Sequence, residues 1–356
     1  MKHSPYISWA KKHHNVEYNL ASSGMPRPSL PNLVKDPQKI LEPVDHENGW
    51  PPLMKKIANR YEVNINQVVP VHSASFANHL VCALFLDSGD EVLVESPAYE
   101  PLVSLPKYFN ASVKRFDRNP DQRYQPVPSQ IEELVTDQTK LIILSNLHNP
   151  SGVLIDEPVL WQLIDIAEKY NCHILIDEVY LEFLYPNGER TAAKYSDNII
   201  TTRSLTKAFG LDDLRVGWII AESITAERIR KLQDLFMTTM ASPSEQLGLM
   251  ALEKADPILD KNINLLDYNF QLVDEFVENH SSLSWHKPSY GSIGFVNYTS
   301  GSVDMLADHL LENHQTLIAP GHFFGMDNHF RLGWSLPTDT LESGLEKLDR
   351  SISDLS

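Results

Sequence analysis

The stretch Leu141-Ile142-Ile143-Leu144-Ser145-Asn146-Leu147-His148-Asn149-Pro150-Ser151-Gly152 decides the fold. Its opening is an apolar run of strand length, the pattern of a strand buried on both faces of a parallel sheet. The run then stops on a string of turn-forming residues. Two later runs have the same form. His173-Ile174-Leu175-Ile176 ends in Asp177-Glu178-Val179-Tyr180, and Asn198-Ile199-Ile200-Thr201-Thr202 leads into Arg203-Ser204-Leu205-Thr206-Lys207. Between the first two runs, Glu157 to Tyr170 sets Leu160, Leu163, Ile164 and Ala167 at i, i+3, i+4 and i+7, which predicts an amphipathic crossover helix.

Outward from this centre, Glu91 to Glu95, Val113 to Phe116 and Val216 to Ile220 add three more short strands. The alternation of short runs and helical segments from Val68 to Ala221 predicts an α/β fold with a mostly parallel sheet between two helix layers. The first ~45 residues differ: Met25-Pro26-Arg27-Pro28-Ser29-Leu30-Pro31 cannot propagate a helix and would leave a sheet unpaired, so they predict an extended arm. After residue 245, long helical stretches followed by Gly291 to Val296 and Phe330 to Trp334 predict a smaller α+β domain. The expected division is therefore an arm over 1–45 packing with the small domain, a three-layer α/β/α large domain over 46–245, and a small domain over 246–356.

Composition narrows the function classes. The 356 residues are 42% hydrophobic and 22% charged, as in a globular chain with a sizeable core. A formal net charge of −17 argues against nucleic acid or an anionic membrane as partner and favours small-molecule chemistry. No apolar run follows Met1-Lys2-His3-Ser4-Pro5-Tyr6 and no stretch approaches the length of a membrane span, which predicts a cytoplasmic protein. Cys82 and Cys172 sit in apolar contexts and read as buried free thiols. The 14 histidines are scattered, without Cys-x-x-Cys or His-Glu-x-x-His, so no metal is expected.

The polar termini of the three central runs fall beyond the carboxyl ends of their strands, the edge where open α/β sheets collect ligand-binding groups. Singly each has an ordinary reading: a turn, a strand-closing cap, a chance Ser-x-x-Lys. In their joint order, from about Leu20 to Pro337, they resemble the class I and II aminotransferases of fold type I, which use pyridoxal 5′-phosphate (PLP) to move an amino group between an L-amino acid and a 2-oxo acid.

The resemblance implies a role for each residue. Lys207 corresponds to the Schiff-base lysine, which, once displaced by substrate, is free as general base at Cα. Asp177 corresponds to the carboxylate at the ring nitrogen, where it favours the protonated, electron-accepting ring. Tyr180 and Asn149 correspond to the donors at the ring's phenolic oxygen, with Asn149 also near substrate. Ala74 and Ser75, in His72-Ser73-Ala74-Ser75-Phe76-Ala77 ahead of an apolar helix read over Asn78 to Leu86, match the backbone donors to the phosphate. Ser204 and Arg215 match its other contacts. Tyr99 falls where an aromatic ring stacks on the cofactor. Arg331 matches the arginine that grips the substrate's α-carboxylate, and Gly24 the glycine whose backbone lies against substrate. The family also implies a homodimer.

The sequence departs from the family at several places. Ser73 often, and Asp213 usually, is glycine there; aspartate tolerates a left-handed turn, and the carboxylates of Asp212 and Asp213 are expected to point away from the phosphate. The segment Val44 to Leu53, which in the family carries a tyrosine for the partner subunit's phosphate site, has none. Phe236 to Pro243 lacks the arginine that dicarboxylate-specific members use. Arg27, His13 and His14 are other selectivity candidates, with a solvated arm as their ordinary reading. Two rivals stay open: a PLP-dependent lyase or cyclase, since loss of a β or γ substituent begins with the same proton abstraction, and a non-catalytic effector domain, which the absence of a basic segment ahead of Tyr18 disfavours.

Overall fold

The computed structural model describes residues 3–28, 33–34, 37–44 and 49–355. The chain enters on a helix, α1 (Pro5–Lys12). Ser4 caps it by accepting the Ile7 N–H, proline stands in the first turn, and Lys11 and Lys12 lie in the last turn, where cations suit the helix dipole. The expectation of a wholly extended arm is thereby corrected: a Ser-Pro helix start precedes the proline-rich stretch. Met25 to Pro28 has no regular structure, and Ser29, Leu30 and Pro31 lie outside the described residues. A two-residue strand, β1 (Tyr18–Asn19), comes after α1.

Helix α2 (Pro51–Tyr61) leads to β2 (Val68–Val71), α3 (Ser73–Phe85), β3 (Glu91–Ser96), α4 (Glu100–Tyr108) and β4 (Ser112–Asp117). The series continues with α5 (Pro128–Leu134), β5 (Thr139–Ser145), α6 (Glu157–Tyr170), β6 (His173–Asp177), β7 (Ile199–Ser204) and β8 (Gly217–Ile220). These strands form one seven-stranded sheet in the order β2-β8-β7-β6-β5-β3-β4. Strands β3 to β7 are parallel, and β8 runs antiparallel to both β2 and β7. The expected α/β fold with a mostly parallel sheet is the fold observed.

The continuous apolar runs result from burial on two faces. In β5, Leu141 and Ile143 join a core with α3 and α4, whereas Ile142 and Leu144 join a second core with α5 and α6. Leu160, Leu163, Ile164 and Ala167 of α6 are all buried in the latter. Strand β2 is not among the expected strands, because Val68-Val69-Pro70-Val71 carries a proline. It occupies the sheet edge, where a missing N–H is tolerated. Helix α3 begins at Ser73 rather than at the expected Asn78, since its first turn is small and polar and shows no apolar period.

Three helices come next, α7 (Ser223–Gln233), α8 (Ser242–Glu253) and α9 (Ala255–Asn279). Then come β9 (Leu283–Trp285), β10 (Ile293–Tyr298), α10 (Val303–His314), β11 (Thr316–Leu317), β12 (Ala319–Pro320), β13 (His329–Gly333) and α11 (Thr338–Leu355). The antiparallel sheet β12-β13-β10-β9 contains the two expected strands, β10 starting two residues later and β13 one residue earlier than expected. The arm is stitched to this part of the chain: β1 pairs in parallel with β11, and the Gly333 N–H donates to the Leu20 carbonyl over 2.7 Å. No described helix is long and apolar enough to cross a membrane.

Candidate active site

Parallel strands β5, β6 and β7 end side by side, so the turns at their carboxyl ends meet one another. Asp177 closes β6, Ser204 closes β7, Lys207 stands three residues further on, and Asn149 lies in the turn after β5. These four line one cavity of about 810 Å³ together with Ala74, Ser75, Tyr99, Tyr180, Arg215 and Arg331. Gly24 backs it: a Cβ there would lie 3.3 Å from the Thr206 carbonyl oxygen and 3.7 Å from Lys207 Cδ, so the arm passes the lysine at a distance that favours glycine. The cofactor- and substrate-site residues implied by the resemblance are thus brought together, whereas the selectivity candidates Arg27 and His13 do not line the cavity.

The floor of the cavity is a buried polar chain. Asp177 accepts Asn78 Nδ2–H on Oδ2 over 3.0 Å and the Val179 N–H on Oδ1 over 3.2 Å. Asn78 in turn accepts the Thr202 hydroxyl over 2.8 Å. Burial raises the pKa of Asp177, and the Asn78 and Val179 donors and the Lys207 charge oppose that rise. Lys207 donates to Ser23 Oγ over 2.9 Å. Burial of its amine lowers its pKa, opposed by Tyr6 and Asp177 and reinforced by the Arg331 charge, which favours the neutral amine that attacks a carbonyl. The Tyr180 hydroxyl is buried without a hydrogen bond of normal geometry, although Ser23 is near enough to oppose the rise that burial imposes on its pKa.

One end of the cavity is built for an anion. It meets the first turn of the thirteen-residue α3, with Ser73, Ala74 and Ser75 presenting N–H groups not yet committed to helix bonding. Arg215 Nη2 reaches Ser73 Oγ over 2.7 Å. Ser73 stands at φ 73°, which explains why glycine suits its place. At the second departure the expectation is corrected: the left-handed residue is Arg215, at φ 51°, while Asp213 lies inside a 3-10 turn over Asp212–Leu214. Arg27 pairs with Asp213 and lies 3.8 Å from Asp212, so this arm residue is committed to both carboxylates. Of the segment from Val44 to Leu53, residues 45–48 lie outside those described.

At the other end, Arg331 on β13 is 1% exposed. Its Nη1 donates to Asn149 Oδ1 over 3.0 Å and its Nη2 to the Tyr6 hydroxyl over 2.6 Å and the Ala21 carbonyl over 2.9 Å, while Nε–H has no partner among the described residues. Asn149 is itself held in place: its N–H donates to Ser145 Oγ, and Ser145 donates to the buried Glu95, which pairs with Arg118.

The residues present fit PLP on independent grounds: a depressed lysine amine, a buried carboxylate, an orphaned tyrosine hydroxyl, an anion-ready helix start and an arginine with a vacant donor. Sequence reasoning missed Asn78, Ser23, Thr202 and Tyr6. Asn78 left one faint signal, a polar residue flanked by the buried Ala77 and Leu80; Tyr6 left none. Lys11, Lys207, Arg215 and Arg331 face a single carboxylate, Asp177, among the described lining residues, a cationic cavity within a chain of net charge −17.

Comparison with known proteins agrees with this geometry. The model of the family "Aminotransferase class I and II" matches residues 48–348. Capreomycidine synthase of Streptomyces vinaceus is 26% identical over 80% of this chain and 74% of its own length. Aspartate aminotransferase of Pyrococcus horikoshii is 23% identical over 85% and 81%. Among solved structures, a PLP-dependent aminotransferase from Streptococcus suis superposes with a TM-score of 0.91 at 26% identity, covering 100% of this chain and 99% of that one. The PLP-dependent cyclase OrfR shares the fold with a TM-score of 0.89 at 22% identity, over 100% and 98%. The chain belongs to the class I and II aminotransferases and is a PLP-dependent aminotransferase.

Proposed function

We propose that Lys207 carries PLP and that the residues around it divide the work of amino-group transfer. The observation that carries this reading is Lys207 itself, an amine desolvated in the cavity that Asp177 also lines and donating to the neutral Ser23 hydroxyl. When bound, the cofactor supplies an electron sink for the pair left at the substrate's Cα. Asp177, whose Asn78 and Val179 donors oppose the burial that favours its neutral form, would pair with the ring nitrogen and favour the protonated ring. Tyr180 and Asn149 would donate to the ring's phenolic oxygen, and Tyr99 would pack against the ring. The Ala74 and Ser75 N–H groups, Ser204 and Arg215 would hold the phosphate. Arg331 grips the α-carboxylate, with Asn149 and the Gly24 backbone beside it, and so fixes the Cα–H bond toward Lys207 Nζ. Lys207 Nζ, released when substrate takes its place, would be the base that accepts that proton.

The same reading divides the chain into an arm over 1–45, a cofactor-binding domain over 46–245 and a small domain over 246–356, and takes the protein to be a cytoplasmic homodimer. The likeness to capreomycidine synthase and to a cyclase supports a second reading, elimination or cyclisation after the same proton abstraction. The test is spectroscopic. PLP added to the cofactor-free protein should produce the visible band of a lysine-bound cofactor, absent in Lys207→Ala. Amino acid should bleach the band and a 2-oxo acid should restore it. Ammonia or a cyclised product formed without an acceptor would establish the second reading, and no band in the unaltered protein would refute both.

A further inference from the structure

Helix α1 closes one side of the cavity, and nothing in the roles above uses it. Tyr6 is its innermost residue, 7% exposed, with its ring edge-on to Tyr99 at 5.8 Å and to Phe323 at 5.6 Å. The Arg331 guanidinium lies 5.5 Å from the Tyr6 ring centroid and 5.1 Å from that of Phe324. The Tyr6 hydroxyl accepts from Arg331 Nη2, which leaves its own O–H free to donate, and no described residue accepts it. Arg331 Nε–H is likewise without an acceptor among the described residues. Tyr6 and Arg331, hydrogen-bonded to each other, both line the cavity, so a neutral O–H donor stands beside a guanidinium, a pairing that suits a carboxylate.

The rest of the helix gives the outer cavity its character. Ile7, Trp9 and Ala10 line it together with Leu102 and Leu317, and Trp9 stacks on Tyr6 with centroids 6.1 Å apart. Lys11 and His14 are exposed at the rim. No described lining residue other than Asp177, at the cavity floor, is acidic, so a guanidinium or ammonium side chain would find no partner in the outer cavity and would meet Lys11 instead. Glu100 binds the Ser4 hydroxyl and thereby clasps the start of α1 to the start of α4.

We propose that Tyr6 is a substrate-binding residue whose hydroxyl joins Arg331 in holding the α-carboxylate, and that the wall formed by its helix selects amino acids with bulky apolar or aromatic side chains. The inference rests on the assignment of Arg331 as the carboxylate anchor. It requires α1 to be docked for substrate to be held, which makes the N-terminal segment part of the binding site.

The test uses the PLP-loaded protein, with 3-phenylpropionate as a carboxylate probe and 3-phenylpropionamide as its neutral counterpart, both titrated calorimetrically. Tyr6→Phe should weaken 3-phenylpropionate about tenfold, the size of one hydrogen bond to a charged group, and leave the amide and the cofactor absorbance unchanged. Trp9→Ala should weaken both probes alike. In turnover, Tyr6→Phe should raise KM about tenfold with kcat within about twofold, and phenylalanine or leucine should exceed arginine and lysine at least tenfold in kcat/KM. Undiminished binding of 3-phenylpropionate to Tyr6→Phe, or equal losses of acid and amide, would overturn the role of Tyr6. A preference for arginine, lysine or aspartate would overturn the selectivity. Failure of the anchor assignment has a different signature, undiminished 3-phenylpropionate binding in Arg331→Lys, and would remove the proposal with it.

Discussion

Asn78→Ala isolates one contact beneath the cofactor site. The substitution removes the Nδ2–H donor 3.0 Å from Asp177 Oδ2 and deprives the Thr202 hydroxyl of its acceptor, at a position 4% exposed where water cannot readily replace either. A hydrogen bond to a charged group contributes about 1.5–3 kcal/mol, and each pKa unit corresponds to about 1.4 kcal/mol, so the acid limb of kcat/KM should move upward by about one to two pH units. Stability gives the second readout. Because burial raises the folded-state pKa of Asp177, the folded cofactor-free protein holds the proton more tightly than the unfolded chain. The ionised carboxylate therefore costs stability that is lost as pH climbs from the unfolded value through the folded one. Asn78→Ala deepens that cost, so urea unfolding of the cofactor-free protein should show a loss of about 1.5–3 kcal/mol at pH 7 and a smaller one at pH 4. An unmoved acid limb with equal losses at both pH values would refute the reasoning and leave Asn78 a packing residue.

Gly217→Ala would set a Cβ 2.6 Å from the Ser73 carbonyl carbon and 2.8 Å from the Arg203 carbonyl oxygen, so the start of α3 must move. PLP affinity, measured by equilibrium absorbance titration, should fall at least about tenfold, and unchanged affinity would show that α3 does not hold the phosphate. Arg203, buried between Glu178 at 2.8 Å and Glu182 at 2.7 Å, compensates two interior carboxylates, and Arg203→Met should cost about 3–5 kcal/mol in denaturant unfolding. A loss under about 1 kcal/mol would mean that the neighbouring Arg60 suffices. Cys82 and Cys172 are free and buried, with burial pushing the first thiol up and the second to about 11. An aromatic disulfide reagent should label them only as fast as the protein unfolds; stoichiometric labelling within seconds at pH 8 would contradict their burial.

What the sequence discloses and what it hides differ in range along the chain. Strands β5, β6 and β7 are legible because burial on two faces writes an unbroken apolar run. Asn149, Asp177 and Lys207 are legible because each comes within a few residues of the end of such a run. The errors arise where local pattern conflicts with position in the fold. Strand β2 carries a proline that only its edge place permits, and the turn before β8 takes its left-handed residue at Arg215 rather than at Asp213. Helix α1 is hidden by the proline-rich segment that comes after it.

The residues that tune the site come from further away. Asn78 reaches Asp177 across 99 positions and Tyr6 reaches Arg331 across 325, and neither contact has a spacing or period that could announce it. This separation has a functional consequence. The groups proposed to form and break bonds are delivered by consecutive strand ends of one sheet, so a sequence that folds this way and keeps those ends should retain the initial proton abstraction. The groups proposed to face the substrate side chain come from the arm, from α4 and from the C-terminal strands, which meet only in the folded chain. Substrate choice can therefore change through α1 while Lys207, Asp177 and Asn149 stay fixed. On this reasoning, chains that share the strand ends and differ in the first dozen residues should differ in amino acid preference before they differ in chemistry.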